Sequence, residues 1–384
     1  MLPPWRRTTD PDPDAPRLYP WSRFSQPSPA PTRRARAQRI PADGVPITVR
    51  MVDAMVAKAL GRPPTELETP FYENATFARF ALALLAGQNL DRGVSLDHAV
   101  DAALAATTSD FPLALGNIFD NLLLAFYGVA QPTYRKIAAM VPFQDFRQTH
   151  AVRVAEFPAL LQTGESAEVK FGVMSENQEL LSLVTYGRIC SFSRVLLIND
   201  DLGAFRRLAE SAASRILEFE GATFFPACFG SNGLGATLAS DGVAVFNSAH
   251  ANIGATGALS LTTLGSASGL LQAQTTADGS KLNLEVATLL VSPASRRLAE
   301  SVIPLPSVGK IAVVSDANLS GTRFYVAADP GACPCFVYGG LRGAPSPIVT
   351  SRRDFLTDGV SFKVLLDFGC GAIDYRGGVT GAGA

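Results

Sequence analysis

Residues 199–220 read NDDLGAFRRLAESAASRILEFE and indicate the fold more clearly than any other stretch. Asp200 is suited to cap a helix, because its side chain accepts backbone hydrogen bonds and its charge complements the positive helix end. One apolar stripe then recurs at helical spacing, formed by Phe205, Leu208, Ala212, Ile216 and Phe219. The pattern predicts an uninterrupted helix over 200–220 that serves as a structural support.

Strand-like sequence lies upstream of this helix. The segments AVRVAEF (151–157) and LLSLVTYGRICSFSRVLL (180–197) are rich in β-branched and aromatic residues, which favours strands. The polar segment between them, which contains Lys170, is too long for a tight hairpin turn. We therefore expect a projecting two-stranded ribbon over 146–194. Because such a ribbon is only marginally stable alone, it needs a surface to lie on.

The downstream half mixes helices with strands. Ser260 is suited to cap a helix through Gln274, and ATLLVSP (287–293) indicates a strand that leads into a helix through Val302, with Pro293 in its first turn. Near the end of the chain, alternate residues share one face, as in a half-buried strand: Val360, Phe362, Val364, Leu366 and Phe368. These runs indicate the α+β class.

The first third of the chain is different. Residues 1–46 hold eleven prolines and eight arginines, which predicts a flexible arm with no core of its own. Such an arm is either a disordered leader or a segment that contacts nucleic acid or a neighbouring subunit. Residues 47–142 are expected to be helical, with one helix capped by Thr48, another capped by Ser95, and a third marked by apolar residues at helical spacing: Leu115, Phe119, Leu122 and Phe126.

The composition of the chain limits the classes of protein to which it can belong. The 384 residues are 47% hydrophobic with a net charge of −1, so the chain can form a large core and has no overall charge that favours nucleic acid or membranes. Its five scattered cysteines do not suggest a secreted disulfide framework. No secretory signal or apolar run of membrane-spanning length is apparent. We expect a soluble, intracellular product.

Ser248 and His250 form the first candidate catalytic pair. Two residues apart on a strand, they would face the same way, and a nucleophilic serine needs a base within hydrogen-bond reach. However, the glycine-flanked serine of a hydrolase elbow is missing, since GSASG at 265–269 has alanine at its centre. A structural turn histidine is the favoured interpretation.

Other candidate sites are also weak. GSNGLG at 230–235 lacks the Lys-Ser/Thr that completes a phosphate-binding loop, and Cys333 and Cys335 have no second pair nearby to form a zinc site. The three histidines, His98, His150 and His250, lie far apart. Asp367 and Asp374 could form an acid/base pair, but a strand edge and a turn explain them equally well. We therefore predict no catalytic, cofactor-binding or metal-binding residues and no enzymatic activity.

Four segments, in order, resemble the major head proteins of Mu-like phages and the capsid part of prohead protease/major capsid fusion proteins. They are TTSDFPLALGN (107–117), NDDLGAF (199–205), VFNSAHANIGATGALSLTTL with DGSKLNLEVATLLVSP (245–293), and DGVSFKVLLDFGCGAIDYRG (358–377). The resemblance covers about Thr107 to Gly378. A protease region such as the fusion proteins carry upstream is not expected here, because the preceding segment is short.

The resemblance implies the HK97-type capsid fold and its division of the chain. It implies an extended loop at 143–195. The flexible arm 1–46 and the helical region 47–142 would precede this loop, and the helical region would be an N-arm or a scaffold-like segment. A peripheral domain with the spine helix would occupy 196–244, an axial domain 245–340, and a return to the peripheral domain 341–384. In some related shells a loop lysine such as Lys170 forms an isopeptide cross-link, although a solvated lysine is favoured here.

The implied function is that of a major capsid protein of a tailed phage, prophage or gene transfer agent, forming an icosahedral shell around double-stranded DNA. Its partners would be itself, in hexamers and pentamers, with portal, prohead protease, scaffold and decoration proteins. The protein would contact packaged DNA without sequence preference, and it would not bind a membrane. The shell would be assembled in the bacterial cytoplasm. The alternatives are a nanocompartment shell with the same fold, a serine hydrolase at Ser248/His250, and a prophage remnant that no longer assembles.

Overall fold

The computed structural model describes residues 47–64, 72–73, 75–87, 94–105, 110–152, 178–199, 202–276, 279–303, 310–354 and 359–383. The flexible arm predicted at 1–46, the predicted cap Asp200, and Lys170 lie outside these residues. The described chain contains both helices and sheets, so the predicted α+β class is confirmed.

The N-terminal region is helical as far as Val129. Its helices are α1 (Ile47–Leu60), α2 (Phe77–Gly87), α3 (Ala99–Ala105) and α4 (Asp110–Val129). Three details differ from the prediction. Thr48 lies inside α1 and does not cap it, because the helix already begins at Ile47. Ser95 precedes a short 3-10 turn and makes no side-chain cap, and the region expected to be helical to residue 142 ends in strand β1 (Ala138–Met140).

Helix α4 also changes the expectation about membranes. Among the described residues, its segment Phe111–Val129 is the one helical stretch long and apolar enough to cross a bilayer, whereas we expected none. The helices of soluble cores meet the same criterion, and 44% of this segment is buried within the subunit. Its fully buried residues, which include Leu115, Phe119 and Leu122, belong to the apolar core around the N-terminal helices.

The long helix predicted at 200–220 is longer than its stripe indicates. After the short helix α5 (Arg194–Ile198), helix α6 extends over Leu202–Phe229 and passes through Pro226. At 1.5 Å per residue its 28 residues span about 42 Å. The prediction ended too early because the second half of the helix buries a different set of residues, which are Glu220, Gly221, Phe224, Phe225, Cys228 and Phe229.

The buried face of the first half of α6 is rotated from the predicted stripe. Phe205, Ala209 and Ala213 are the buried residues there, while Phe219 is 37% exposed. The small alanines allow neighbouring elements to pack closely against the helix. Phe205 lies in a cluster of aromatic rings at centroid distances of 4.9–5.8 Å from other elements, namely Phe77, Phe119, Phe192 and Phe362.

A five-stranded sheet is built around the strand predicted near the end of the chain. Strand β10 (Gly359–Ala372) pairs antiparallel with three strands, β4 (Val184–Ser193), β8 (Phe336–Gly339) and β9 (Ile348–Asp354), and β1 pairs parallel with β8. The five alternating residues predicted to face inward are all buried. This confirms the period-two pattern as the signal of a half-buried strand.

The predicted ribbon ends earlier than expected at its base, and residues 153–177 lie outside the described residues. Strand β2 (Thr149–Val152) pairs antiparallel with β3 (Gln178–Leu181) and forms a separate two-stranded sheet. The continuous strand predicted at 180–197 is wrong, because the chain leaves the ribbon after Leu181, enters the five-stranded sheet as β4, and is helical from Arg194. Ladder pairing with β10, which is remote in sequence, determines this break.

A four-stranded sheet forms the remaining unit. Its order is β11 (Gly378–Gly381), β7 (Phe324–Ala327), β5 (Thr288–Val291) and β6 (Ala312–Ser315). Helices α7 (Leu261–Gln272) and α8 (Arg296–Val302) contribute to its core. Ser260 caps α7 as predicted, in a reciprocal arrangement with Thr263. Pro293 stands in the turn before α8, also as predicted.

Candidate functional site

Ser248 and His250 do not form a catalytic pair in the structure. They lie in a 3-10 turn and not on the strand that we expected, because the Asn247 side chain caps the turn by accepting a hydrogen bond from the Ala249 amide. The exposed Ser248 hydroxyl donates to Asn247 Oδ1 at 3.3 Å. A nucleophilic serine needs that hydroxyl to face its base, and here it faces a neighbouring amide.

His250 has a structural environment. Its Nδ1 lies 2.9 Å from the carbonyl oxygen of Val245, and its Nε2 lies 2.8 Å from Asp241 Oδ2. The ring stacks on Tyr375 with centroids 3.9 Å apart and planes within 4°. Both ring nitrogens therefore have oxygen partners other than the Ser248 hydroxyl. The arrangement holds the turn against Tyr375, as the interpretation of a turn histidine predicts.

The glycine-rich loop at 230–235 is a helix terminus. Gly230, Gly233 and Gly235 have φ values of 65°, 70° and 87°, a conformation that residues with a Cβ rarely adopt. The Gly235 amide donates to the Phe229 carbonyl at 2.8 Å, and Tyr325 Oη donates to the Gly233 carbonyl at 2.9 Å. The glycines therefore reverse the chain after α6, which explains them without a bound phosphate.

The two aspartates considered as an acid/base pair have separate partners. Asp367 accepts a hydrogen bond from Thr185 Oγ1 at 2.6 Å on the five-stranded sheet. Asp374 is buried and paired with Arg376, whose Nη2 lies 2.8 Å from Asp374 Oδ2. Each carboxylate thus has a structural role at its own position.

Metal-binding candidates do not come together in the part of the chain that the structure describes. There, no group of three or more His, Cys, Asp or Glu side chains could hold a metal ion. His98 lies in the turn before α3 and His150 is exposed on β2. Cys333 and Cys335 are buried. The absence of cofactor and metal sites from the whole chain stays a prediction.

The ribbon is attached at its base by a buried carboxylate. Glu179 on β3 is 3% exposed. Its carboxylate accepts two backbone hydrogen bonds, from the Ala239 amide at 2.6 Å and the Ser240 amide at 3.1 Å. Leu181, two residues along the strand, is also buried, whereas Phe146 and Leu180 are 51% and 48% exposed. The ribbon is thus attached on one face and leaves apolar side chains open near its base.

Comparison with known proteins assigns this architecture to a family. A family model described as "Phage capsid protein" matches residues 176–381, which is more than half of the chain. The chain belongs to the phage capsid protein family. The match begins at the ribbon strand β3 and continues through both larger sheets to β11. Helices α1 to α4 and strands β1 and β2 precede the matched region.

Solved structures resemble this capsid protein at low sequence identity, whereas a search of the curated proteins finds no match. A structure from Mycobacterium phage Cain is 13% identical with a TM-score of 0.46, covering 67% of this chain and 92% of its own. The capsid of an empty GTA particle is 10% identical with a TM-score of 0.44, covering 66% and 91%. A phage-related protein from Bordetella bronchiseptica RB50 is 11% identical with a TM-score of 0.43, covering 68% and 95%.

A buried polar network within this capsid protein escaped the sequence analysis. Glu220 of α6 is 1% exposed and accepts hydrogen bonds of 2.6 Å from the hydroxyls of Tyr127 and Tyr134. Arg135 Nη2 lies 3.4 Å from the same carboxylate and 2.8 Å from the Tyr127 hydroxyl. Burial raises the pKa of Glu220, and the tyrosine hydroxyls and Arg135 oppose that shift. The network joins α4, the following turn and α6, so its role is structural.

Proposed function

We propose that this chain is the major capsid protein of a tailed phage, prophage or gene transfer agent. It would assemble with copies of itself, as hexamers and pentamers, into an icosahedral shell that encloses double-stranded DNA. The family match over 176–381 carries this proposal. Identical contacts repeated between copies close a shell, so a single chain with a projecting ribbon is sufficient as the building unit.

The order of elements supports an HK97-type arrangement. The ribbon β2–β3 would be the extended loop, and α6 with the five-stranded sheet would be the peripheral domain. The four-stranded sheet with α7 and α8 would be the axial domain, after which β9 and β10 return to the peripheral sheet. The divisions at 143–195, 196–244, 245–340 and 341–384 remain part of this proposal. Their boundaries do not follow the sheets strictly, because β4 and β8 lie in the five-stranded sheet and β11 lies in the four-stranded sheet. The Mu-like subtype rests on the sequence resemblance.

The ribbon supports assembly between copies on energetic grounds. Two strands alone are marginally stable in water, and β2 and β3 pair only with each other within the described residues. Exposed Phe146 and Leu180 beside the ribbon would be covered by a neighbouring subunit. Such burial stabilises association by about 25 cal/mol per Å² of apolar surface.

The remaining roles follow from this proposal. The shell would be assembled in the bacterial cytoplasm and become the virion capsid, with portal, prohead protease, scaffold and decoration proteins as partners and no membrane. The arginines of residues 1–46 would contact packaged DNA through its phosphates, without sequence preference and weakening with salt. We propose no enzymatic activity, since the geometry around Ser248 and His250 favours a structural turn.

Light scattering with negative-stain microscopy on the purified full chain tests the function. We expect rings or closed shells many times the mass of one subunit, in a concentration-dependent equilibrium. A chain that stays monomeric at high concentration, at high salt and with a crowding polymer would contradict the proposal. Release of non-specific duplex DNA from the particles as salt rises would test the DNA contact separately.

A further inference from the structure

The attachment of the ribbon depends on an unusual polar contact. A buried carboxylate costs free energy unless it is hydrogen-bonded or paired, and Glu179 is almost fully buried. Two backbone amides, from Ala239 and Ser240, satisfy one oxygen each at 2.6 and 3.1 Å. Charge-assisted bonds of this kind are short and strong, so they hold strand β3 against the loop.

The contact is one of two on the same face of β3. Side chains two residues apart on a strand point the same way, and both Glu179 and Leu181 are buried. Leu181 packs in an apolar cluster with Phe143, Leu183 and Val337. One anchor would let the ribbon turn about its base, whereas two anchors, spaced about 6.6 Å along the strand, fix its direction.

The loop that receives Glu179 is itself held. Asp241, directly after Ser240, pairs with Nε2 of His250. His250 stacks on Tyr375, beside the buried Asp374–Arg376 pair where the chain returns from β10 toward β11. The carboxylate therefore connects the ribbon to the region where the chain passes between the two larger sheets, and not to a loose surface loop.

We infer that Glu179 is a positioning residue for shell assembly: its carboxylate holds the amides of Ala239 and Ser240 and so sets the direction in which the ribbon leaves the subunit. The inference rests on the proposed function. Copies with correctly directed ribbons bind their neighbours in one geometry and close shells of uniform size. Copies without this anchor present the ribbon at variable angles and give open or irregular particles.

Three variants of the full chain test the role. Glu179→Ala removes the carboxylate, and Glu179→Gln keeps its volume but gives up one acceptor oxygen and all charge. Gln178→Ala is the matched control, since Gln178 is the exposed neighbour on the same strand. Circular dichroism and urea unfolding show whether each subunit folds. If Glu179→Ala fails to fold, Glu179→Gln carries the comparison.

Two measurements then follow. Hydrogen exchange of peptides spanning 236–244 should be about 10- to 100-fold faster in Glu179→Ala, as loss of bonds to a charged group predicts, and unchanged in Gln178→Ala. Electron microscopy should show uniform shells for the wild type and Gln178→Ala, fewer and irregular particles for Glu179→Ala, and an intermediate result for Glu179→Gln.

The outcomes distinguish the inference from the proposed function. If the wild type gives no particles, the proposed function fails, and this inference with it. If the wild type and a folded Glu179 variant give shells of the same yield and diameter, the inference alone is overturned. Unchanged exchange at 236–244 in that variant would overturn it as well, because the carboxylate would then not hold the loop.

Discussion

Replacing Phe205 by alanine should be among the most destabilising single changes in this capsid protein. The ring is fully buried and contacts aromatic rings from four other elements, α2, α4, β4 and β10, at 4.9–5.8 Å. Phe→Ala in a core costs about 3–5 kcal/mol. Because four separate elements line the space, none can move to fill it alone, and we expect about 4–5 kcal/mol of lost stability.

The matched control is Phe219→Ala on the same helix. Phe219 is 37% exposed and, among the described residues, has one aromatic neighbour, Tyr186, at 4.6 Å. About 1–2 kcal/mol is therefore expected from partial burial and one ring pair. Urea unfolding of both variants, followed by circular dichroism, gives the change in midpoint and slope. Equal losses, or a loss below about 2 kcal/mol for Phe205→Ala, would refute the reasoning. If Phe205→Ala does not fold, Phe205→Leu replaces it.

Three further predictions concern the polar network, the turn and the ribbon. Glu220→Gln should cost about 1–3 kcal/mol through weakened hydrogen bonds. Burial raises the pKa of Glu220 above its ordinary value of 4.5, so the folded state binds the proton more tightly than the unfolded state. Wild-type stability should therefore rise relative to this variant as pH falls through the raised pKa toward 4.5. Urea titrations at several pH values check this, and parallel curves would contradict it. His250→Ala should lower the free energy of unfolding by about 2–3 kcal/mol, because two hydrogen bonds and a ring stack are lost. Ser248→Ala should change it by no more than about 0.5 kcal/mol. Thermal melts measure both, and an esterase activity that is lost in both variants would restore the hydrolase hypothesis. Deleting residues 160–175 should leave a folded subunit that forms no stable shells, and normal particles in the microscope would exclude the ribbon from assembly.

Local sequence patterns were sufficient to predict much of the fold. The alternation of β10 and the cap of α7 by Ser260 each depend on neighbours in sequence, and both are confirmed. The end of α6 was missed because the helix passes from one core into another and its buried face changes. The break between β3 and β4 was missed because pairing with β10 determines it, and that partner lies far along the chain.

The candidate site shows the same limit. The weakness of the Ser248/His250 pair was predicted from the missing elbow motif, and the geometry agrees. Glu220 and Glu179 gave no signal, because their partners lie 86–93 and 60–61 residues away. An acidic residue on a helix or strand normally indicates an exposed face. Only folding brings together the hydroxyls and amides that make each buried carboxylate stable.

Helix α6 has a consequence for how the subunit unfolds. Phe205 and Ala209 belong to the core around the N-terminal helices, and Phe224 and Phe229 belong to a second core to which both larger sheets contribute. Because α6 supplies buried residues to both cores, unfolding of either half of the helix would disturb the packing of the other half. These two cores should therefore unfold cooperatively. The four-stranded sheet is tied to the same helix on one side, because Leu290, Val314 and Tyr325 lie in one core with Phe224 and Phe229. The core on its other side, formed with α7 and α8, contains no residue of α6 among those described. That layer is therefore the part free to open locally, as a separate foldon, while the remainder of the subunit stays native.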